Sequence, residues 1–296
     1  MKKGLEDELK VRKNEHISVV LKNDTESKIS TWFEYIFLIH NSLPEINFET
    51  IDLSAEIFGR KFSAPLLIEA MTGGTNLAAK INRNLALVAE EYNIPMGLGS
   101  QRVALEHPEA EWTFKIARKS APNAFLIANI GAPQLKHLGL SGIEKIISMI
   151  NADALAIHLN PLQEAIQVRG DTDYQGILNK IMELADNLRL PIIIKETGAG
   201  ISKEIAQILS QTKIKAIDVA GLGGTSWSAV EYYRAKNRGN NEKSELGILY
   251  WDWGIPTAAS IIEVRHALNQ AGRNDIHVIA SGGIRTGLDA CKALVI

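Results

Sequence analysis

Short, nearly continuous apolar runs recur along the chain from about residue 64, and a segment of helical pattern follows each of them. The runs are 65–70, 95–98, 124–130, 154–159, 191–195, 216–220 and 277–280. Several are nearly all apolar, and because their apolar residues are continuous rather than alternating, they predict strands that are buried on both faces, as in parallel sheets. Intervening segments such as 177–188 and 261–268 carry apolar residues at helical spacing.

Seven strand–helix units leave two architectures open, a doubly wound sheet and a (β/α)8 barrel. The units are regular, at roughly 30 residues each, and glycine or polar residues cluster after every strand. A barrel builds its site from all these strand ends, whereas a doubly wound sheet uses chiefly one crevice. We therefore predict an α/β fold, a TIM barrel over residues 64–296, with an N-terminal extension over residues 1–63. The polar stretch 236–245 suggests a mobile insert.

The number of strand–helix units indicates whether the chain contains a whole barrel. Only 15 residues follow Ser281, and a strand–helix pair needs roughly twice that number. We therefore expect the C-terminal βα unit, the eighth, to be missing from this chain.

Composition narrows the class of protein. Of the 296 residues, 46% are hydrophobic and 22% are charged, with a net charge of −2. This excludes a disordered or coiled-coil protein, and it leaves no basic field for nucleic acid or an acidic membrane. No apolar run approaches the ~18 residues of a membrane helix, and the N-terminus lacks the pattern of a targeting peptide. The single cysteine, Cys291, excludes an intramolecular disulfide. We expect a cytoplasmic protein.

The strand ends carry the candidate chemistry. Small residues in 71–75 let a flat or phosphorylated ligand approach the backbone, and Arg102 at the end of 97–102 suits an anionic group. The segment 158–164 (His-Leu-Asn-Pro-Leu-Gln-Glu) crowds four polar groups at one strand end. Within it, Glu164 is a candidate Mg²⁺ ligand, and His158 is either an acid/base or a phosphate donor.

Lys195 closes a strand that is otherwise apolar, so it must be paired or bind an anion there. It is a candidate Schiff-base nucleophile, or a cation beside an electron-rich ring such as a flavin. Glycine pairs at 223–224 and 282–283 present backbone N–H groups to phosphate. Arg12 and Lys13 are either part of a solvated helix or a basic arm that folds over the barrel mouth and clamps a diphosphate. We find no Ser-His-Asp set, nucleophilic cysteine or paired carboxylates among these motifs.

Together these motifs resemble one family along the whole chain. The matching segments are 12–16, 40–45, 71–74, 97–102, 128–131, 158–164, 223–227, 253–257 and 281–285. These motifs, and their order along the chain, resemble those of type 2 isopentenyl-diphosphate delta-isomerase, an FMN-dependent barrel enzyme. The His-Leu-Asn-x-x-Gln-Glu strand end separates this family from other FMN barrels.

The resemblance implies a double-bond isomerisation between isopentenyl and dimethylallyl diphosphate in isoprenoid biosynthesis, with FMN reduced by NAD(P)H, Mg²⁺ as a second cofactor, and a homo-oligomer (tetramer or octamer). It implies FMN contacts from Met71, Thr72, Gly73, Ser100, Asn129, Lys195, Thr225, Gly282, Gly283, Ile284 and Arg285. It implies substrate contacts from Arg12, Lys13, Ser100, Gln101, Arg102, His158, Asn160 and Gln163. Glu164 would bind Mg²⁺, and Gln163, Glu164, His158 and Lys195 would be the catalytic residues.

Two other functions remain open. One is a different FMN barrel, such as a 2-hydroxy-acid oxidase, which needs a histidine base in a His-Gly-Gly-Arg stretch; here Ser281 precedes Gly282 and Gly283. The other is a truncated barrel that binds phosphate and has no enzymatic activity.

Overall fold

The parallel strands form one sheet in chain order. In this computed structural model, the backbone is described for residues 2–296 and the side chains for residues 10–296. After an antiparallel hairpin of β1 (Ala55–Ile57) and β2 (Arg60–Phe62), the sheet runs β3 (Met96–Gly97), β4 (Leu126–Gly131), β5 (Ala154–His158), β6 (Ile192–Lys195), β7 (Ala216–Asp218) and β8 (His277–Ile279). A sequential parallel order is that of a barrel, because a doubly wound sheet reverses its order at the switch point.

Helices alternate with these strands. They are α1 (Lys2–Lys22), α2 (Asn76–Tyr92), α3 (Arg102–Glu106), α4 (Trp112–Ser120), α5 (Leu140–Met149), α6 (Pro161–Ile166), α7 (Ile177–Asn187), α8 (Lys203–Leu209), α9 (Trp227–Asn237), α10 (Asn241–Leu249), α11 (Thr257–Gln270) and α12 (Gly287–Val295). Short 3₁₀ helices lie at Phe33–Tyr35, Phe48–Thr50, Pro108–Ala110 and Ala132–Lys136. None of the helices in the described part of the chain combines the length and apolarity needed to cross a membrane.

The first apolar run, 65–70, is not a named strand. Only Ile68 makes a bridge, parallel to Met96, through Ile68 N to Pro95 O at 2.9 Å and Gly97 N to Ile68 O at 2.8 Å. Pro65 has no N–H to donate, which limits ladder formation at the start of this run. The segment nevertheless occupies the position next to β3 that the first barrel strand is expected to take.

The strands are buried on both faces. Along β4, Leu126, Ala128 and Ile130 belong to the cluster between sheet and helices, while Ile127 belongs to a second cluster inside the sheet. Phe62 from the hairpin joins this inner cluster. The two-sided burial explains why apolar residues follow one another along these strands instead of occupying alternate positions.

The N-terminal helix lies across the loops at the carboxyl ends of the strands. Helix α1 contacts α9 and α3. The chain that follows it is fixed to the loop after β7 by two backbone hydrogen bonds, Ser27 N to Gly224 O and Ser226 N to Thr25 O, each 2.8 Å. The arm therefore covers the mouth of the barrel.

The stretch 236–245, which we predicted to be a mobile insert, is ordered instead. Helix α10 begins inside it and packs along α9. The Asn240 side chain caps α10 by accepting a hydrogen bond from Lys243 N at 3.0 Å. A polar composition here marks the outer face of a helical pair and not a flexible loop.

Candidate functional site

A cavity of about 620 Å³ opens at the carboxyl ends of the strands, beneath α1. This volume lies within the range of cofactor and substrate sites. Fifteen of the residues that the sequence singled out line it: Arg12, Lys13, Met71, Thr72, Ser100, Arg102, Asn129, His158, Asn160, Gln163, Glu164, Lys195, Thr225, Gly282 and Gly283. Arg12 and Lys13 come from α1, and the others come from the strand ends and the loops after them, which are far apart in the sequence.

Sheet register places three polar residues side by side at the base of the cavity. His158 at the end of β5 pairs in register with Lys195 on β6, and Lys195 pairs with Asp218 on β7. The Lys195 ammonium lies 3.1 Å from Glu69 Oε2 and 3.6 Å from Asp218 Oδ2. Although burial opposes its charge, the two acids raise the pKa of Lys195, so it is a cation at neutral pH.

Cations on the arm and on α3 converge on the cavity, and the two on the arm have no ion-pair partner among residues 10–296. Neither Arg12 nor Lys13 forms an ion pair within residues 10–296, and the buried Nε of Arg12 has no hydrogen-bond partner. Burial, reinforced by Arg12 and Arg102, lowers the pKa of Lys13 to about 8. Arg102 is paired with Glu106, at 2.7 Å. A buried charge without a partner is costly, so this wall of the cavity is suited to an anionic ligand.

His158 is held in its neutral form. Its Nδ1 lies 2.7 Å from Asn129 Oδ1. Burial, together with the charges of Lys195, Lys13 and Arg12, lowers the pKa of His158 to about 3. Because the amide oxygen accepts from Nδ1–H, Nε2 carries the lone pair. His158 is therefore a hydrogen-bond acceptor or a general base in this state.

The polar groups after β5 form a connected network. Asn160 occupies the N-cap position of the short helix α6, and its Nδ2 donates to Gln163 Oε1 at 3.2 Å and to Glu164 Oε1 at 3.0 Å. Glu164 Oε2 accepts from Gln167 and from the backbone N–H of Asp171. Within the described residues, no group of three or more His, Cys, Asp or Glu side chains is placed to hold a metal ion. Glu164 is a lone carboxylate at the cavity wall.

Two residues on α9 had no role assigned from the sequence: Glu231 was not singled out, and Trp227 was only part of the matching segment 223–227. Glu231 accepts from Gln163 Nε2 at 3.3 Å and from Arg234, and its Oε1 lies 3.1 Å from Nε2 of His16. Trp227 packs edge-on against His16, with a centroid distance of 5.1 Å. The signal available in the sequence was a glutamate and an arginine three residues apart, Glu231 and Arg234, which are neighbours on one face of a helix.

A third unforeseen group shapes the loop after β6. The buried carboxylate of Glu196 accepts hydrogen bonds from three consecutive backbone N–H groups, of Thr197, Gly198 and Ala199, at 2.5–2.6 Å. Burial nonetheless raises the pKa of Glu196 to about 7. This carboxylate fixes the loop that brings Thr197 and Gly198 to the cavity.

Glycines at two strand ends allow close backbone packing beside the cavity. Gly282 and Gly283 have φ of 101° and 78°, and a Cβ on Gly282 would lie 2.2 Å from the carbonyl oxygen of Gly221. Nearby, Thr72 Oγ1 is buried without a hydrogen-bond partner. An unpartnered buried hydroxyl at a cavity indicates a polar ligand.

The structure does not bring four of the expected contact residues to the cavity lining. Gln101 is fully buried; its Nε2 donates to Ile146 O at 2.9 Å and its Oε1 accepts from Asn129 N at 3.2 Å. Gly73 packs against the Phe114 ring. Ile284 faces the core, and Arg285 donates to Gly223 O at 2.8 Å and pairs with Glu26 at 3.0 Å.

The fold and the position of the cavity define a class: an α/β barrel whose site lies at the carboxyl ends of its strands. Solved structures of this class are similar. A lactate oxidase from Pediococcus acidilactici has a TM-score of 0.57 at 15% identity, covering 88% of this chain and 68% of the other. An active chimera of (S)-mandelate dehydrogenase has a TM-score of 0.56 at 15% identity, covering 88% and 72%. At such identities the likeness establishes the fold alone, and it confirms the predicted barrel.

Curated relatives identify the family. An isopentenyl-diphosphate delta-isomerase from Ignicoccus hospitalis is 52% identical over 286 residues, which are 96% of this chain and 78% of the relative. Another from Pyrococcus horikoshii is 49% identical over 299 residues, 98% of this chain and 78% of the relative. This chain belongs to the isopentenyl-diphosphate delta-isomerase family, which confirms the resemblance seen in the motifs. No family model matches the chain.

Proposed function

We propose that this protein interconverts isopentenyl and dimethylallyl diphosphate in isoprenoid biosynthesis, by adding and removing protons beside a reduced FMN. Membership of the family supports the reaction. The structural observation that carries the proposal is the convergence of Arg12, Lys13 and Arg102 on a cavity that also holds Lys195. Such a cavity is built for a ligand with several negative charges.

The diphosphate would bind at the cationic wall. Arg12 and Lys13 are cations without carboxylate partners within residues 10–296, so a diphosphate would supply the counter-charge that the protein does not. Ser100, Asn160 and Gln163 also line the cavity and would hydrogen-bond to the substrate. Gln101 is too deeply buried to contribute directly, and it supports the backbone of Asn129 instead.

The residues present fit FMN. The unpartnered hydroxyl of Thr72, the N–H groups at Gly282 and Gly283, and the Lys195 ammonium offer polar contacts around one cavity. Asn129 and Thr225 line the same space. When bound and reduced by NAD(P)H, FMN supplies an electron-rich ring that stabilises a developing carbocation. The protein contributes the cations, the hydrogen bonds and the closed mouth.

Mg²⁺ fits only as an ion shared with the substrate. Glu164 is a single carboxylate, and hard divalent cations are commonly held by one or two carboxylates plus substrate phosphates. Hydrogen bonds from Asn160 and from the backbone of Asp171 fix its orientation. Glu164 would therefore orient the ion against the diphosphate and would not form a complete metal site by itself.

Protons would be moved by groups in the network after β5. Gln163 bridges Asn160 and Glu231, and Glu231 is the carboxylate in contact with the glutamine amide. Burial opposes the charge of Glu231, but its hydrogen bonds from His16 and Gln163 and the charge of Arg234 lower the pKa of its carboxyl, so it is ionised at neutral pH. Helix α1 over the mouth excludes water, which would otherwise quench a tertiary cation.

A 2-hydroxy-acid oxidase would need a histidine base before the glycine pair, and this chain has none at that position. In the position before Gly282, the structure has Ser281, whose hydroxyl donates to Asp218 Oδ1 at 2.5 Å. Two histidines line the cavity within the described residues: His158, which is held by Asn129 on a different strand, and His16 on α1. Nothing in the cavity favours this reaction over the isomerisation.

The chain also carries a surface suited to self-association. Phe37, Ile39 and Phe48 are 84%, 98% and 81% exposed within the extension that precedes the barrel. Exposed apolar side chains in one segment are typical of protein interfaces. They support a homo-oligomer, and sedimentation velocity would show a mass above 32.5 kDa.

One assay tests the function. Purified protein is incubated with FMN, NADH, Mg²⁺ and isopentenyl diphosphate, and dimethylallyl product is measured. Wild type is expected to form product and Lys13→Met to form little, while Lys10→Met serves as the matched control, because Lys10 is outside the cavity and pairs with Glu109 on the surface. Absence of product from the wild type at saturating FMN would disprove the proposed function.

A further inference from the structure

A chain of alternating charges runs from the N-terminal arm to the polar network after β5. Glu231 and Arg234 on α9 are 1% and 4% exposed. The guanidinium of Arg234 donates through Nη1 to Glu231 Oε2 and through Nε to Glu15 Oε2 on α1, the latter at 3.0 Å. These three side chains are not among the described residues that line the cavity. They can therefore act on a ligand there only through other side chains.

The two carboxylate oxygens of Glu231 have different partners. Oε2 accepts from Arg234, while Oε1 lies 3.3 Å from Gln163 Nε2 and 3.1 Å from His16 Nε2. Gln163 and His16 both line the cavity. A charge-assisted hydrogen bond from a guanidinium is strong and directional, so it opposes rotation of the carboxylate that accepts it. Arg234 therefore fixes which oxygen of Glu231 faces the cavity side chains.

The position of Arg234 depends in turn on the arm. Its Nε is bonded to Glu15, and both oxygens of Glu15 also accept from Nη2 of Arg238, just after α9, at 2.9 and 3.0 Å. Glu15 is thus held between two arginines. Because a guanidinium is planar and its donors point in fixed directions, a change at one carboxylate alters the angle at the other. Displacement of Glu15 would therefore free Arg234 to turn away from Glu231.

The same turn of α1 carries the cations that face the cavity. Arg12 and Lys13 line it, and each is followed three residues later by a residue that contacts α9, Glu15 and His16 respectively. Residues three apart in a helix are neighbours on its surface. Since one rigid turn bears both pairs, the arm cannot hold a diphosphate with Arg12 and Lys13 in these positions unless Glu15 and His16 also meet α9.

We propose that Arg234 is a positioning residue that holds the Glu231 carboxylate toward Gln163, and that it does so only while Glu15 of the arm is bonded to it. The role of Gln163 and Glu231 in turnover rests on the function proposed above, whereas the contact between the arm and Arg234 does not. Seating of the arm and alignment of Glu231 are then one event, so that each favours the other.

Hydrogen–deuterium exchange of the flavin-free protein tests the contact with the arm. In Glu15→Gln and in Arg234→Lys, which keeps the charge but not the forked donors, amides of residues 10–22 should exchange about tenfold faster, as expected for loss of a charge-assisted hydrogen bond. Unchanged exchange in β4 and β5 would show that both variants are folded. The matched control Arg273→Lys should behave like the wild type, because Arg273 pairs with Asp275 away from the arm. Wild-type exchange of the arm in both variants overturns the proposal.

Steady-state kinetics with reduced FMN test the positioning role. Misplacement of Glu231 should lower kcat for isopentenyl diphosphate by about 10–100-fold in each single variant and change KM far less, since neither side chain lines the cavity. If Glu15 acts through Arg234, the double variant should have the kcat of the more impaired single variant. Losses that multiply in the double variant, or a raised KM with full kcat, overturn the positioning role.

The two measurements distinguish this proposal from the proposed function. A wild type that forms no dimethylallyl product contradicts the proposed function and the positioning role together, while exchange of the arm still decides whether Glu15 and Arg234 hold it. An active wild type whose two variants keep full kcat leaves the isomerase proposal intact and rejects only the role of Arg234.

Discussion

His16 Nε2 on α1 lies 3.1 Å from Glu231 Oε1 on α9. This contact links the N-terminal arm to the side chain that receives the Gln163 amide. Burial lowers the pKa of His16 to about 4 despite the opposing hydrogen bond to Glu231. The neutral imidazole therefore donates to an ionised carboxylate at pH 7. This buried hydrogen bond helps to fix the arm over the cavity, together with the ion pair of Glu15 and Arg234 at 3.0 Å.

Stability should fall in mild acid. The pKa of His16 is about 4 and that of His158 about 3, against 6.5 in the unfolded chain. The unfolded state therefore binds more protons below pH 6.5, and the free energy of unfolding decreases as the pH falls toward 4. We expect a loss of about 2 kcal/mol per histidine between pH 7 and pH 5. Urea unfolding at the two pH values measures it, and His16→Gln should remove about half of the slope. An unchanged slope would contradict the role of His16.

Gln163 should be needed for turnover. It contacts Asn160 and Glu231 at the cavity, where a proton carrier is required. With reduced FMN, Gln163→Ala should lower kcat by about 10²–10⁴-fold, the usual contribution of a positioned proton-transfer group. Gln175→Ala is the control, because Gln175 is exposed and outside the cavity. Full kcat in Gln163→Ala would exclude a proton-relay role.

Substitutions at the neighbouring residues Gln101 and Arg102 should have different effects, the first on protein stability and the second on ligand binding. Gln101→Ala leaves the Ile146 carbonyl and the Asn129 N–H without their partners. We expect a loss of about 1–3 kcal/mol in the free energy of unfolding. Arg102→Ala removes a cation at the cavity, and it should weaken diphosphate binding with little change in stability. Urea unfolding would measure the stability of both variants, and calorimetric titration with inorganic diphosphate would measure their affinity. If Gln101→Ala lost affinity but not stability, and Arg102→Ala lost stability but not affinity, the roles given to the two residues would be wrong.

Gly99 should not tolerate a side chain. A Cβ there would lie 2.5 Å from Thr72 N and Cα, which are backbone atoms and cannot move aside easily. Gly99→Ala should cost about 1–3 kcal/mol of stability. At Gly287 nothing lies within 4 Å of the added Cβ, and the residue begins α12. Gly287→Ala should therefore be neutral or stabilising. Equal thermal midpoints for the two variants would show that the close approach at Gly99 is relieved at no cost.

The sequence by itself determined the architecture and the edge of the sheet where the site lies. Continuous apolar runs such as 126–131 specify strands with two buried faces, and this is a local property of the sequence. Polar residues after such runs, including His158 and Lys195, must lie together because parallel strands end at one edge. These inferences needed no knowledge of distant contacts.

Only the tertiary structure decided which polar side chains face the cavity and which groups they meet. Gln101 and Arg102 are neighbours in sequence, yet one is buried against Ile146 and the other lines the cavity, since the direction of each side chain depends on local backbone geometry. The contacts of His16 with Glu231, and of Glu69 with Lys195, join segments that sequence patterns treat separately. Their charge states follow from shared burial, which exists only once the chain has folded.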